Sequence, residues 1–168
     1  MRQKTAIVNQ HKWKKLLDKA KETGDKHKYN MVYMLFWSGM HISVYIDPVG
    51  HYANFDGDIL SWSRPKTGKR VVHRISITCS NPKLYQKHIQ WWLKNNWNRK
   101  TAMTYNRWLK QIGKKAGVPD VSSLTLRHTY CYRRLIETKD IMRVKMEMQC
   151  TMDVLSQNYM LIHPDQFS

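Results

Sequence analysis

Acidic side chains are the scarcest chemistry in this chain. Its 168 residues carry 12 Asp or Glu against 29 Lys or Arg, a formal net charge of +17. From Ile59 to Pro119 there is no acid at all, while 14 Lys or Arg occur. A solvated surface normally mixes both signs. So one-sided a tract points to a polyanionic partner, most simply nucleic acid, whose phosphates release counterions as they are neutralised. Cysteine is sparse too. Cys79, Cys131 and Cys150 are far apart, odd in number and lack a CxxC or His-x-x-x-His companion, which argues against a disulfide scaffold or a structural zinc site. No run of about 18 apolar residues occurs and no apolar segment opens the chain, so the sequence reads as soluble and intracellular, with no membrane partner. Gly and Pro are few, at 7 and 5. With 42% hydrophobic residues and seven Trp to pack, this is a folded domain and not a disordered basic tail. The length predicts one domain over residues 1–168.

Apolar periodicity supplies the elements. Val8, Trp13, Leu16, Leu17 and Ala20 recur at helical spacing and predict a helix over roughly Asn9 to Lys21, ended near Gly24, with a lysine-rich outer face. Tyr29 to Trp37 is a denser apolar run that predicts a buried helix closing at Ser38-Gly39. Asp47-Pro48-Val49-Gly50 and Asp56-Gly57-Asp58 are breakers. Ile59–Trp62 and Val71–Ile77 alternate as strands do, joined by the basic tip Arg64-Pro65-Lys66-Thr67-Gly68-Lys69-Arg70. Two helices are expected over Tyr85–Trp97 and Thr101–Lys115. Their tryptophans fall on the apolar stripe, which favours core over base-stacking platforms. Ser122-Ser123 is a good N-cap for the helix that follows.

That helix opens the stretch with the most chemistry, Leu124 to Tyr159. Arg127 lies in one helical run and Tyr159 in another, 32 residues on. Ile136, Ile141, Met146 and Met148 between them are expected to bind the two helices to one core. An arginine offers phosphate a planar fork of donors, and a tyrosine hydroxyl can form a covalent intermediate. Taken singly, Arg127 reads better as a solvated helix residue and Tyr159 as a core aromatic with its hydroxyl at the surface. The register of the pair is what carries information.

Leu126-Arg127-His128-Thr129, with Cys150 nine residues before Tyr159, resembles the tyrosine recombinase (phage integrase) family, in a divergent form comparable with viral or archaeal integrases. That family carries a His-x-Leu-Arg-His motif and a His or Trp nine residues before its nucleophilic tyrosine. The resemblance implies an α+β, mainly α-helical catalytic domain with a small antiparallel sheet or hairpin near residues 50–79. The resemblance leaves residues 1–168 without the separate N-terminal core-binding domain of typical integrases, so the chain is expected to be either a piece of a longer integrase or a minimal one. It also implies a site-specific recombinase or integrase that cleaves double-stranded DNA through a 3′-phosphotyrosyl bond, without metal, nucleotide or other cofactor. The protein would be a monomer alone and a homo-tetramer on two DNA sites. Tyr159 is then the nucleophile and Arg127 the phosphate clamp. Lys66 on the hairpin is the general acid, with Lys69 a lesser candidate, and Arg64, Lys69 and Arg70 are DNA contacts.

Three positions depart from the family pattern. His41, in Gly39-Met40-His41-Ile42-Ser43, stands where the first catalytic arginine belongs, and no arginine occurs between Arg2 and Arg64. It is either a smaller, pH-dependent phosphate ligand or a histidine bonded to the helix end with the clamp lost. Leu124 replaces the histidine three before Arg127 and cannot accept a proton; His128, one turn on, is a possible support. Cys150 replaces the His or Trp and retains a weak S–H donor. Two alternatives stay open beside the recombinase: a DNA-binding module of the same fold with a dead centre, and a type IB topoisomerase-like relaxing activity. An RNA-binding protein explains the charge but not the register of Arg127 with Tyr159.

Overall fold

The computed structural model describes residues 7–150 and Leu155. Eight helices and one small sheet make up these residues, in the order α1 (Gln10–Glu22), α2 (Lys26–Ser38), α3 (Ile42–Ile46), β1 (Asn54–Phe55), β2 (Ile59–Ser63), β3 (Arg70–Arg74), α4 (Ile75–Thr78), α5 (Pro82–Lys94), α6 (Ala102–Lys115), α7 (Ser123–Thr138) and α8 (Ile141–Met148). None of these helices is long and apolar enough to cross a membrane. The expected α+β, mainly helical class with an antiparallel sheet is what the structure has.

α2 is the axis of the domain. It is apolar on every side, and Met31 through Phe36 are all buried, as expected of a helix enclosed by others. α1, α3, α5, α6 and α7 all pack against it. Trp13 of α1 stacks on its Phe36. Asn30, a buried amide in α2, is fully used: it donates to the His88 carbonyl and ring and accepts from the Tyr45 hydroxyl. Side-chain caps start most of the helices. Asn9, Asp25, Asn81, Thr101, Ser122 and Asp140 each accept a backbone N–H of the first turn, satisfying donors that have no partner within a helix. α2 ends at Gly39, whose φ of 65° is left-handed. A Cβ there would lie 2.5 Å from the Tyr130 ring of α7, so both backbone and packing require glycine.

The sheet is antiparallel in the order β1-β2-β3, with Leu60 opposite His73 and Trp62 opposite Val71. Three expectations are corrected here. Alternation predicted a strand through Ile77, yet the ladder stops at Arg74 and Ile75–Thr78 form a helical turn. The cause is Asp58: its carbonyl accepts from Ile75 N–H and its carboxylate from Ser76 N–H, and it forms an ion pair with Arg74. β2 itself starts only at Ile59, so no partner strand remains beyond Arg74. Met146 was expected in the core but is 69% exposed, because α8 turns Val144 and Met148 inward instead. The third departure is a matter of length. α5 ends at Lys94, and Trp97 lies beyond it in a short 3-10 turn, 77% exposed.

The buried histidines make the fold sensitive to acid. His73 and His88 are almost wholly buried, and burial pushes both down to about 4. An unfolded histidine takes its proton near 6.5, whereas these two stay neutral until about pH 4. The unfolded chain thus binds more protons in that window, and stability falls as pH drops through it. Urea denaturation at pH 6.5 and pH 5.5 should show a loss of about 1 kcal/mol for each of the two histidines. Equal midpoints at the two pH values would contradict their neutral burial.

Candidate functional site

Arg127 is placed by the start of α7. Ser122 caps this helix, and Leu126, Thr129 and Tyr130 are buried, which leaves Arg127 half-buried at the edge of the core. Tyr130 seats its ring on Gly39, drawing α7 against the end of α2. From there the Arg127 Nη1 donates to the Gly39 carbonyl at 2.5 Å. His41, two residues on, is the N-cap of α3 and is half-buried. Burial, then the charges of Arg127, Arg64 and Lys66, hold its imidazole down to about 3. His41 is therefore neutral at pH 7, and the strongest electrical influences on it all come from basic side chains.

The hairpin reaches the same place from the other side. Arg64 follows β2, and its backbone closes the turn through Arg64 N–H to the Lys69 carbonyl and Gly68 N–H to the Arg64 carbonyl. Its side chain runs to the end of α8, where Nη1 donates to the Gln149 carbonyl. Nε of Arg64 is buried without an acceptor among the described residues. Cys150 comes next in the chain and is buried. Burial raises its thiol, against the opposing pull of Arg127 and Arg64, so it is an uncharged S–H. Lys66 is exposed on the hairpin, within electrostatic range of His41.

The structure thus gathers Arg127, His41, Lys66, Arg64 and Cys150 from α7, the α2–α3 junction, the hairpin and the residues after α8. Lys69 is exposed on the hairpin. Arg70 is turned back onto the sheet, where it donates to Ser61 and Ser63 of β2. His128 is half-buried and held low by burial and then by Arg127. Leu124 is 57% exposed. Tyr159 lies outside the described residues. Leu155, four residues before it in sequence, is fully buried with Tyr130, Tyr132, Val144, Met148 and Cys150. One histidine escaped the sequence reading: His51, which acts on His41 electrically and whose Nδ1 meets the Asp47 carbonyl. No motif signals it, since only the loop closure brings it near. Among the described residues no cluster of His, Cys, Asp or Glu is arranged to hold a metal.

α8 is fastened beside this site by a buried ion network. Arg134 grips Glu147 with two hydrogen bonds of 2.9 and 2.7 Å and also bonds Glu137. The Arg134 and Glu147 side chains are 3% and 12% exposed. Burial opposes the Glu147 charge, but the Arg134 bonds and charge outweigh it and hold the carboxyl below its usual range. The His73 ring meets the Glu147 carbonyl, tying α8 to β3.

Comparison with solved structures assigns the architecture. XerA recombinase superposes on 97% of this chain with a TM-score of 0.73 at 19% identity. The chain has the tyrosine recombinase catalytic fold. XerH site-specific recombinase, in its pre-cleavage complex with difH substrate, matches 98% of the chain with a TM-score of 0.72 at 11% identity. The Tn1549 transposon integrase in complex with circular intermediate DNA matches 98% with 0.70 at 16% identity. The chain spans 63%, 52% and 64% of those three proteins, so the recombinase fold accounts for roughly half to two thirds of each. No protein-family model matches the sequence, and no curated protein matches it. At these identities the likeness is one of fold.

Proposed function

We propose that this domain binds double-stranded DNA and breaks and rejoins it as a site-specific recombinase or integrase. The observation that carries the reading is the convergence of Arg127, Arg64 and Lys66 on a neutral His41 within a recombinase fold. Like charges gathered with so little acid nearby repel one another, and a phosphodiester is the group that relieves them. Tyr159 gives up its phenolic proton to solvent and attacks the scissile phosphate in line; a 3′-phosphotyrosyl bond forms as the bond from phosphorus to the 5′ oxygen breaks, and that oxygen leaves with a proton donated by Lys66. The bond energy stays in that linkage, so another 5′ hydroxyl can reverse it. Arg127 neutralises charge on the non-bridging oxygens, the electrostatic contribution that dominates such reactions. Cys150 and the neutral His41 contribute uncharged hydrogen bonds. No metal or nucleotide enters these steps. XerH and the Tn1549 integrase are seen in complex with DNA, which supports DNA as the partner; in this proposal the acid-free tract contacts the DNA backbone and four protomers assemble on two sites.

The test uses a nicked suicide duplex carrying the element's own attachment site, with products resolved on a denaturing gel. A covalent protein–DNA band is expected from the wild type. Tyr159→Phe should lose it entirely while retaining the native-gel shift. A shift with no band from the wild type, across a range of pH, would leave a DNA-binding module of this fold.

A further inference from the structure

We propose that Arg64 is a catalytic residue, the second guanidinium of the phosphate clamp, doing from the hairpin what the residue at position 41 does not. The assignment rests on the strand-transfer reading above and names a role within it. Three observations carry it. Arg64 does not extend into solvent from its basic turn, as Lys66 and Lys69 do; it is half-buried. Its Nη1 is held by the carbonyl of Gln149, the residue before Cys150, and its charge acts on His41 and Cys150 together with that of Arg127. Its Nε is buried with no acceptor among the described residues, although buried donors are nearly always paired. Arg64 is anchored through Nη1 and leaves a donor unused, and its charge falls on the same His41 and Cys150 as that of Arg127, which suits a bound oxyanion.

The remaining charges of the region leave the role to it. His41 is uncharged at neutral pH. Of the other two arginines of the hairpin, Arg70 is occupied by Ser61 and Ser63 and Arg74 by Asp58. A guanidinium also brings something Lys66 lacks: parallel N–H donors spaced for two phosphate oxygens.

Single-turnover covalent capture on the nicked duplex tests the assignment. Arg64→Ala should slow capture by a hundredfold or more, with DNA affinity within a few-fold of wild type, and Arg64→Lys should stay slow because it lacks the fork. Replacing the scissile phosphate with an uncharged methylphosphonate removes the charge to be neutralised. The Arg64→Ala defect should then shrink to less than tenfold, whereas a misfolded variant would stay inactive on both substrates. Adding His41→Arg to Arg64→Ala should restore part of the capture rate. Capture by Arg64→Ala at the wild-type rate, or an equal defect on both substrates, overturns the assignment and leaves the recombinase reading standing. Absence of capture by the wild type overturns both.

Discussion

Arg127→Ala should lower the rate of covalent capture by two to three orders of magnitude, the usual consequence of losing one preorganised donor to a charged transition state. DNA affinity should change far less. One phosphate contact among many alters the salt dependence of binding by about one unit of slope and leaves the rest intact. The folded domain should also survive, since losing the bond to the Gly39 carbonyl costs about 1 kcal/mol. Arg127→Lys restores a charge but not the planar fork, and should recover little of the rate. The site offers a readout independent of cleavage as well. The Arg127 charge is the leading electrostatic influence holding His41 down to about 3, so its removal should let the imidazole titrate at higher pH, visible by NMR. A capture rate within tenfold of wild type would remove Arg127 from the chemistry.

Glu147→Ala should destabilise the domain by about 3–5 kcal/mol. The loss comes less from the bond removed than from the partner left behind: Arg134, at 3% exposure, would keep its charge in the interior. Glu137 still pairs with it, which places the expectation toward the lower end of that range. For a domain of this size the melting temperature should fall by roughly 10 °C. Replacing Arg134 as well, with Met, should recover part of the loss, because two apolar groups need no compensation. Calorimetry on the single and double variants decides the matter, and a single variant melting within 2–3 °C of wild type would contradict it. The damage should reach the site too, since α8 presents the Gln149 carbonyl that Arg64 holds.

Most of the helical framework was legible in the sequence, for local reasons. Caps such as Asn9, Thr101 and Ser122, the apolar stripes behind them, and the left-handed Gly39 are decided within a few residues of chain. The errors arose where distant contacts decide. Nothing in the alternation of Val71–Ile77 reveals that Asp58 ends the ladder at Arg74. The short apolar run around Met146 does not reveal which face of α8 meets the core. The candidate site divides in the same way. The resemblance to the recombinase motifs singled out Arg127, Cys150 and His41, and the fold brings these residues within electrostatic range of one another. Arg64 read as an ordinary basic hairpin residue, because its bond to Gln149 spans 85 positions of sequence.

Gly39 has a consequence for how freely its neighbour at position 41 can vary. It ends α2, seats the Tyr130 ring and lends its carbonyl to Arg127, so the path of the main chain entering α3 is held without help from the His41 side chain, which makes no capping bond. Position 41 therefore works as a socket. Different side chains can be exchanged there while the surrounding backbone keeps its course, and a histidine can stand at the head of the site without the fold having to be rebuilt around it.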